Sequence, residues 1–160
     1  MTFAISLYDL SVWVHVSAVV VGLGITFVGA VSFPLALRVG VRHLPYAHEL
    51  QLVIGQRITG PALGLIILTG IYQTADADWG FGSFWISATF AIVIVLGAMQ
   101  GVYFTRTDRK LAAQARRELD ATGNVSDDYQ RQARTEALLG AIAGVLVIAA
   151  VFLMVTKPGA

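Results

Sequence analysis

Between Asp9 and Arg38 the chain carries no charged side chain: LSVWVHVSAVVVGLGITFVGAVSFPLAL. That run exceeds the roughly 20 apolar residues a helix needs to cross the hydrocarbon core of a bilayer, and is far longer than a buried core helix requires. Three more uncharged stretches follow, Ile58 to Ala75, Trp79 to Thr105 and Ala137 to Thr156, and the four together make up more than half the chain. The second is long enough only if its polar flank, Leu50 to Arg57, continues the helix. With 56% hydrophobic and only 13% charged residues in a chain of 160, a soluble fold could not hide the apolar surface. The sequence therefore predicts an all-α integral membrane protein. It is a single domain over residues 1–160, a four-helix bundle with spans at about 10–37, 53–75, 79–105 and 134–156. The first span is expected to remain in the mature protein. MTFAISLYD before it has no Lys or Arg, and the apolar run is longer than a signal-peptide core of about 7 to 15 residues.

The placement of charge sets the topology. Ten of the eleven basic residues lie in two segments, Arg38 to Arg57 and Arg106 to Arg134, with Lys157 the exception. Those segments face the cytoplasm by the positive-inside rule, so both termini face outside, and the expected location is the bacterial cytoplasmic membrane, crossed several times. The basic bias is read as topology, with the lipid bilayer as the partner and no nucleic acid. RTDRKLAAQARRELDA (106–121) reads as a long cytoplasmic helical extension of the third helix, stopped by Gly123. Ser126 with Asp127 and Asp128 then caps a fourth helix that can run to Thr156. RVGVRHLPYAHEL (38–50) reads as a polar link turned at Pro45, and Gly60 and Pro61 predict a kink in the second helix. The outer connection ADADWGFGS is short, and Trp13, Trp79, Phe81, Phe84 and Trp85 are expected at headgroup level. No cysteine is present, which excludes disulfides, thiolate metal sites and covalent haem attachment.

One residue in the first span is out of character. His15 lies six residues inside Asp9, which places it ~9 Å below the outer boundary. Ser11, Ala18 and Gly22 stand at i−4, i+3 and i+7 on its stripe, which continues through Thr26 and Gly29. Small residues on one stripe mark the packed face of a membrane helix, so His15 is expected to point into the bundle. A neutral imidazole is a good metal ligand, including for haem iron, and an intramembrane ionisable residue is a functional candidate. The alternative is a packed imidazole hydrogen-bonded to Ser11 or to a carbonyl of another helix. His43 and His48 belong to the cytoplasmic link and cannot join His15. Met154, near the outer end of the fourth helix, is at a similar depth and is a candidate soft ligand for haem or copper, or simply a packing residue. Lys157, just before Pro158, either snorkels to the interface or pairs with an anionic group such as a propionate. Arg57 either snorkels, pairs with Glu136 or clamps a carboxylate, and Gln100 reads as interhelical glue.

His15 followed by Gly22 and Gly24, then GPALGLIILTG (60–70), WGFGSFWI (79–86) and VTKPG (155–159), resembles the bacterial four-helix "predicted integral membrane protein" family of unknown function over nearly the whole chain. More distantly the chain is similar to the membrane-bound HemJ-type protoporphyrinogen oxidases and to the CopD-type copper-resistance membrane domain. The HemJ-type resemblance implies a b-type haem ligated by His15, with Lys157 also needed. Residues and resemblance lead to a membrane haem-b protein with a redox or electron-transfer role. His15 is its axial ligand, Met154 a second ligand, Lys157 lies near a propionate, and Ser11, Ala18 and Gly22 make room. A haem-dependent oxidoreductase, a quinone or other redox partner and a homo-oligomer are all compatible with that reading. The alternatives are a membrane protein handling copper or another metal through His15 and Met154, and a cofactor-free accessory subunit of a membrane complex.

Overall fold

The computed structural model describes residues 5–159. They form four long helices, α1 (Leu7–Val39), α2 (Val41–Asp76), α3 (Phe84–Thr122) and α4 (Asp127–Thr156), with no strand among the described residues. Each is long and apolar enough to cross a membrane. Successive helices run in opposite directions, which brings both chain ends to one end of the bundle (the terminal end). The joints at Gly40 and at residues 123–126 lie at the other, the basic end. α4 has a mean hydropathy of 2.9 over a window of which 17% is buried, so most of its apolar surface faces lipid. Trp13 at 67% exposure and Phe152 at 62% likewise point away from the bundle.

Local chemistry fixes the helix ends. The Ser6 hydroxyl accepts from the Asp9 N–H while the Asp9 carboxylate accepts from the Ser6 N–H, a reciprocal cap on α1. α3 ends as anticipated at Gly123 in the left-handed conformation (φ 74°), and Ser126 caps α4 through the Tyr129 N–H. Glu118 ties these two ends together. Its carboxylate accepts from the Ser126 N–H at 2.6 Å and the Ser126 hydroxyl at 2.8 Å, and these bonds hold it below the usual carboxylate range.

Two apolar cores result. One, within the membrane, joins Ala18, Leu23, Ala62, Leu63, Ile66, Val93, Leu96 and Val147. The other, at the basic end, gathers Ala36, Leu44, Ala47, Leu111, Ala115 and Tyr129. The second core corrects the reading of residues 38–50 as a link. Only Gly40 breaks the helix, and Pro45 sits in the first turn of the α-helical stretch that begins at Leu44, where its missing N–H costs no intrahelical bond. Helical spacing puts Leu44, Ala47 and His48 on one face, buried against α3.

Three of the helices contain a wider, π-helical turn: Val19–Leu23 in α1, Gly55–Thr59 in α2 and Met99–Phe104 in α3. The turn in α2 touches those of the other two. In α2 it immediately precedes Gly60 and Pro61, and it takes up the register that a residue without an N–H would break. Two glycines in these turns are needed for close approach. A Cβ on Gly22 would stand 2.1 Å from the Ala62 Cβ, and one on Gly55 would stand 2.0 Å from the Gln100 amide nitrogen. Gln100 thus packs between helices, as expected of an interhelical polar residue.

Candidate functional site

His15 does point into the bundle, as its stripe suggested, and is buried between α1 and α2. Its Nδ1 lies 2.8 Å from the Thr69 hydroxyl oxygen. That hydroxyl has one proton, and the Leu65 carbonyl lies closer, at 2.6 Å. Thr69 therefore donates to Leu65 and accepts from His15 Nδ1–H, an assignment that leaves the lone pair of the neutral ring on Nε2. A histidine anchored through one nitrogen and offering the other is the arrangement found at metal ligands. The side-chain partner is a threonine on α2 rather than Ser11, and the Ile66 carbonyl of the same helix also lies beside the ring.

Met154 and His15 border the same small, partly open cavity of about 20 Å³, together with Ile66, Gly70, Thr89 and Phe90. That is room for one water or one ion. A porphyrin does not fit between these side chains as they stand, whereas the donors, an imidazole nitrogen and a thioether sulfur, suit a single soft metal ion.

The remaining candidates occupy different positions. The Ser11 hydroxyl donates to the Tyr8 carbonyl, and the Ser11 carbonyl accepts from Gln73, so Ser11 joins α1 to α2 one turn above His15. Ala18 belongs to the membrane core. The space beside Gly22 is filled by Ala62. Lys157, in the left-handed conformation at the end of α4, places its Nζ 4.1 Å from the centre of the Trp79 ring and 5.5 Å from that of Trp85. Its charge is thus held on aromatic faces. Trp85, at 3% exposure, is turned into the bundle and packs against Trp79, with ring centroids 5.3 Å apart.

A second polar constellation lies at the basic end. His48 Nδ1 is 2.8 Å from Asp108 Oδ1 and 3.7 Å from Glu136 Oε2, while its Nε2 is 2.9 Å from the Tyr129 hydroxyl. All four residues are buried, and the Phe33 ring lies 4.6 Å from the imidazole. Glu136 therefore faces His48 and Asp108 on neighbouring helices. Arg57 is exposed and makes no ion pair among the described residues, so of its three alternatives the pairing with Glu136 is not found. The cluster is hidden in the sequence because His48 reads as part of a polar link. The available signal was the helical spacing of Leu44, Ala47 and His48.

The family described as "Predicted integral membrane protein (DUF2269)" matches residues 9–158. No curated protein and no solved structure matches the chain. The chain belongs to that family, and it is an integral, multi-pass membrane protein.

Proposed function

From that membership as premise, we propose that the protein handles metal at the terminal end of the bundle. A single cuprous ion is held between His15 and Met154 in the bacterial cytoplasmic membrane. The observation that carries this reading is the anchored imidazole. With Thr69 accepting from Nδ1–H, Nε2 carries the lone pair, and His15 and Met154 line one space of ionic size. The Lys157, Trp79 and Trp85 cluster lies one turn beyond the cavity. Lys157 follows Met154 by three residues and Trp85 precedes Thr89 by four, so this cluster would shield a bound ion on the terminal side.

Haem b on His15, with a redox role, is the second reading, favoured by the same available Nε2 and by the absence of a side chain at Gly70 beside the ring. It requires α1 and α2 to part from α3 and α4 to admit a porphyrin. One experiment separates the readings: elemental analysis for copper and iron on the detergent-purified chain, with oxidised and dithionite-reduced visible spectra, repeated on His15→Ala. One copper per chain after anaerobic cuprous loading, lost in the variant, supports the copper site. Sharp reduced α and Soret bands with stoichiometric iron, lost in the variant, transfer the reading to haem. Copper binding that survives His15→Ala, or a chain that takes up neither group, overturns both.

A further inference from the structure

The basic-end cluster has a chemistry of its own, independent of His15. Asp108 and Glu136 are 3% and 6% exposed and His48 is fully buried, and one ligand atom from each lies within 4.8 Å of the other two. No Lys or Arg pairs with either carboxylate among the described residues, because the arginines of this end reach other partners or solvent, as in the ion pair of Arg116 with Glu49. Two buried carboxylates face one imidazole, and bare charge at such depth is costly, so the cluster must be balanced either by protons or by a bound cation.

The spacing suits a metal ion. Ligand atoms ~2.1 Å from a common ion stand about 3.0 Å apart in octahedral and about 3.4 Å apart in tetrahedral geometry. The separations from His48 Nδ1, 2.8 and 3.7 Å, lie either side of those values. The outer support is in place as well. The Tyr129 hydroxyl holds Nε2, fixing the ring with Nδ1 toward the carboxylates, and Phe33 closes one face. One nitrogen and two carboxylates, without sulfur, are wrong for a cuprous ion, and the imidazole nitrogen suits a first-row ion better than calcium, whose shell is all oxygen.

We infer that His48, Asp108 and Glu136 form a binding site for one first-row divalent cation, in the series from manganese to zinc. The three ligands come from α2, α3 and α4, so the ion joins the extensions of three helices at the end that the charge distribution places in the cytoplasm.

The test uses the full chain in detergent, stripped with chelator, with His15→Ala and Met154→Leu introduced to silence the terminal-end site. Zn²⁺ is titrated by calorimetry, and Co²⁺ is followed by visible absorption, whose d–d bands report ligation and coordination number. One ion per chain is expected. Asp108→Asn and Glu136→Gln, close in shape to the native residues, should each weaken binding at least 100-fold. Tyr129→Phe, which removes only the hydroxyl behind Nε2, should weaken it by about 10 to 100-fold and alter the cobalt spectrum without loss of fold. Absence of Zn²⁺ and Co²⁺ binding by the parent chain overturns the site. So does native affinity in Glu136→Gln and Asp108→Asn. If either of those variants fails to fold, an unchanged affinity and spectrum in Tyr129→Phe overturns it instead.

Discussion

The contact between Gly22 and Ala62 invites a double-mutant test. Gly22→Ala places a methyl carbon 2.1 Å from the Ala62 Cβ, whereas carbons pack at about 3.5 to 4.0 Å, so α1 and α2 must separate by about 1.5 Å at the crossing. Overpacking of this kind costs about 1 to 3 kcal/mol. Ala62→Gly removes the obstructing atom and leaves the Ala62 Cα position, 3.5 Å away, as the nearest contact. Alone it should cost about 1 kcal/mol through helix propensity. The double variant should therefore be no less stable than Ala62→Gly alone, a coupling of about 1 to 3 kcal/mol. The assay is equilibrium unfolding in mixed micelles followed by circular dichroism for all four chains. The same separation would stretch the 2.8 Å bond from His15 to Thr69 toward about 4.3 Å, so metal retention should follow stability. A Gly22→Ala chain as stable as its parent refutes the close crossing, as does a Gly22→Ala cost that is the same with and without Ala62→Gly.

Thr69→Val removes the acceptor for His15 Nδ1–H and should lower affinity for the cuprous ion by about 10 to 100-fold, measured by competition with a chromophoric chelator; unchanged affinity would show that the anchor is irrelevant. Glu118 has a lowered folded pKa, so its capping of α4 is present above the unfolded value of about 4.3 and is lost as pH falls through the lower folded value. Hydrogen exchange around residues 118–130, corrected for intrinsic rates, should lose protection in that acid range in the parent, while Glu118→Gln is less protected and flat with pH; a flat parent profile contradicts this. Lys157→Met should expose Trp79 and Trp85 to iodide quenching while Lys157→Arg keeps them shielded, and equal quenching in all three chains counts against the cation–π cap.

The four spans were legible because bilayer thickness imposes a length that uncharged runs declare directly. Gly123 and Ser126 were legible because caps are local. The inward direction of His15 followed from its stripe of small residues, and its shared cavity with Met154 from depth alone. Its anchor was not legible, because Thr69 is 54 positions away and nothing in α1 selects it. The start of α2 was hidden by composition, since Arg42, His43, Pro45 and His48 look like a loop until their spacing is set against the apolar face of α3. Once His48 was assigned to a link, Asp108 and Glu136 were two ordinary acids. The distances that make them a cluster exist only after three helices have packed.

The π-helical turns have a mechanical consequence. Each acts as a one-residue phase shift, and one residue on an α-helix is a rotation of about 100°. In α2, Thr69 lies on one side of the Gly55–Thr59 turn and His48 on the other, so the extra residue sets the angle between the face that meets His15 and the face that meets Asp108. Deleting one residue there would leave either end free to form, but not both in register. Anchoring of His15 and cobalt absorption at His48 would report that conflict separately. The two ends of the molecule are clocked to each other by a single inserted residue, which fixes the relative orientation of two sites that never touch.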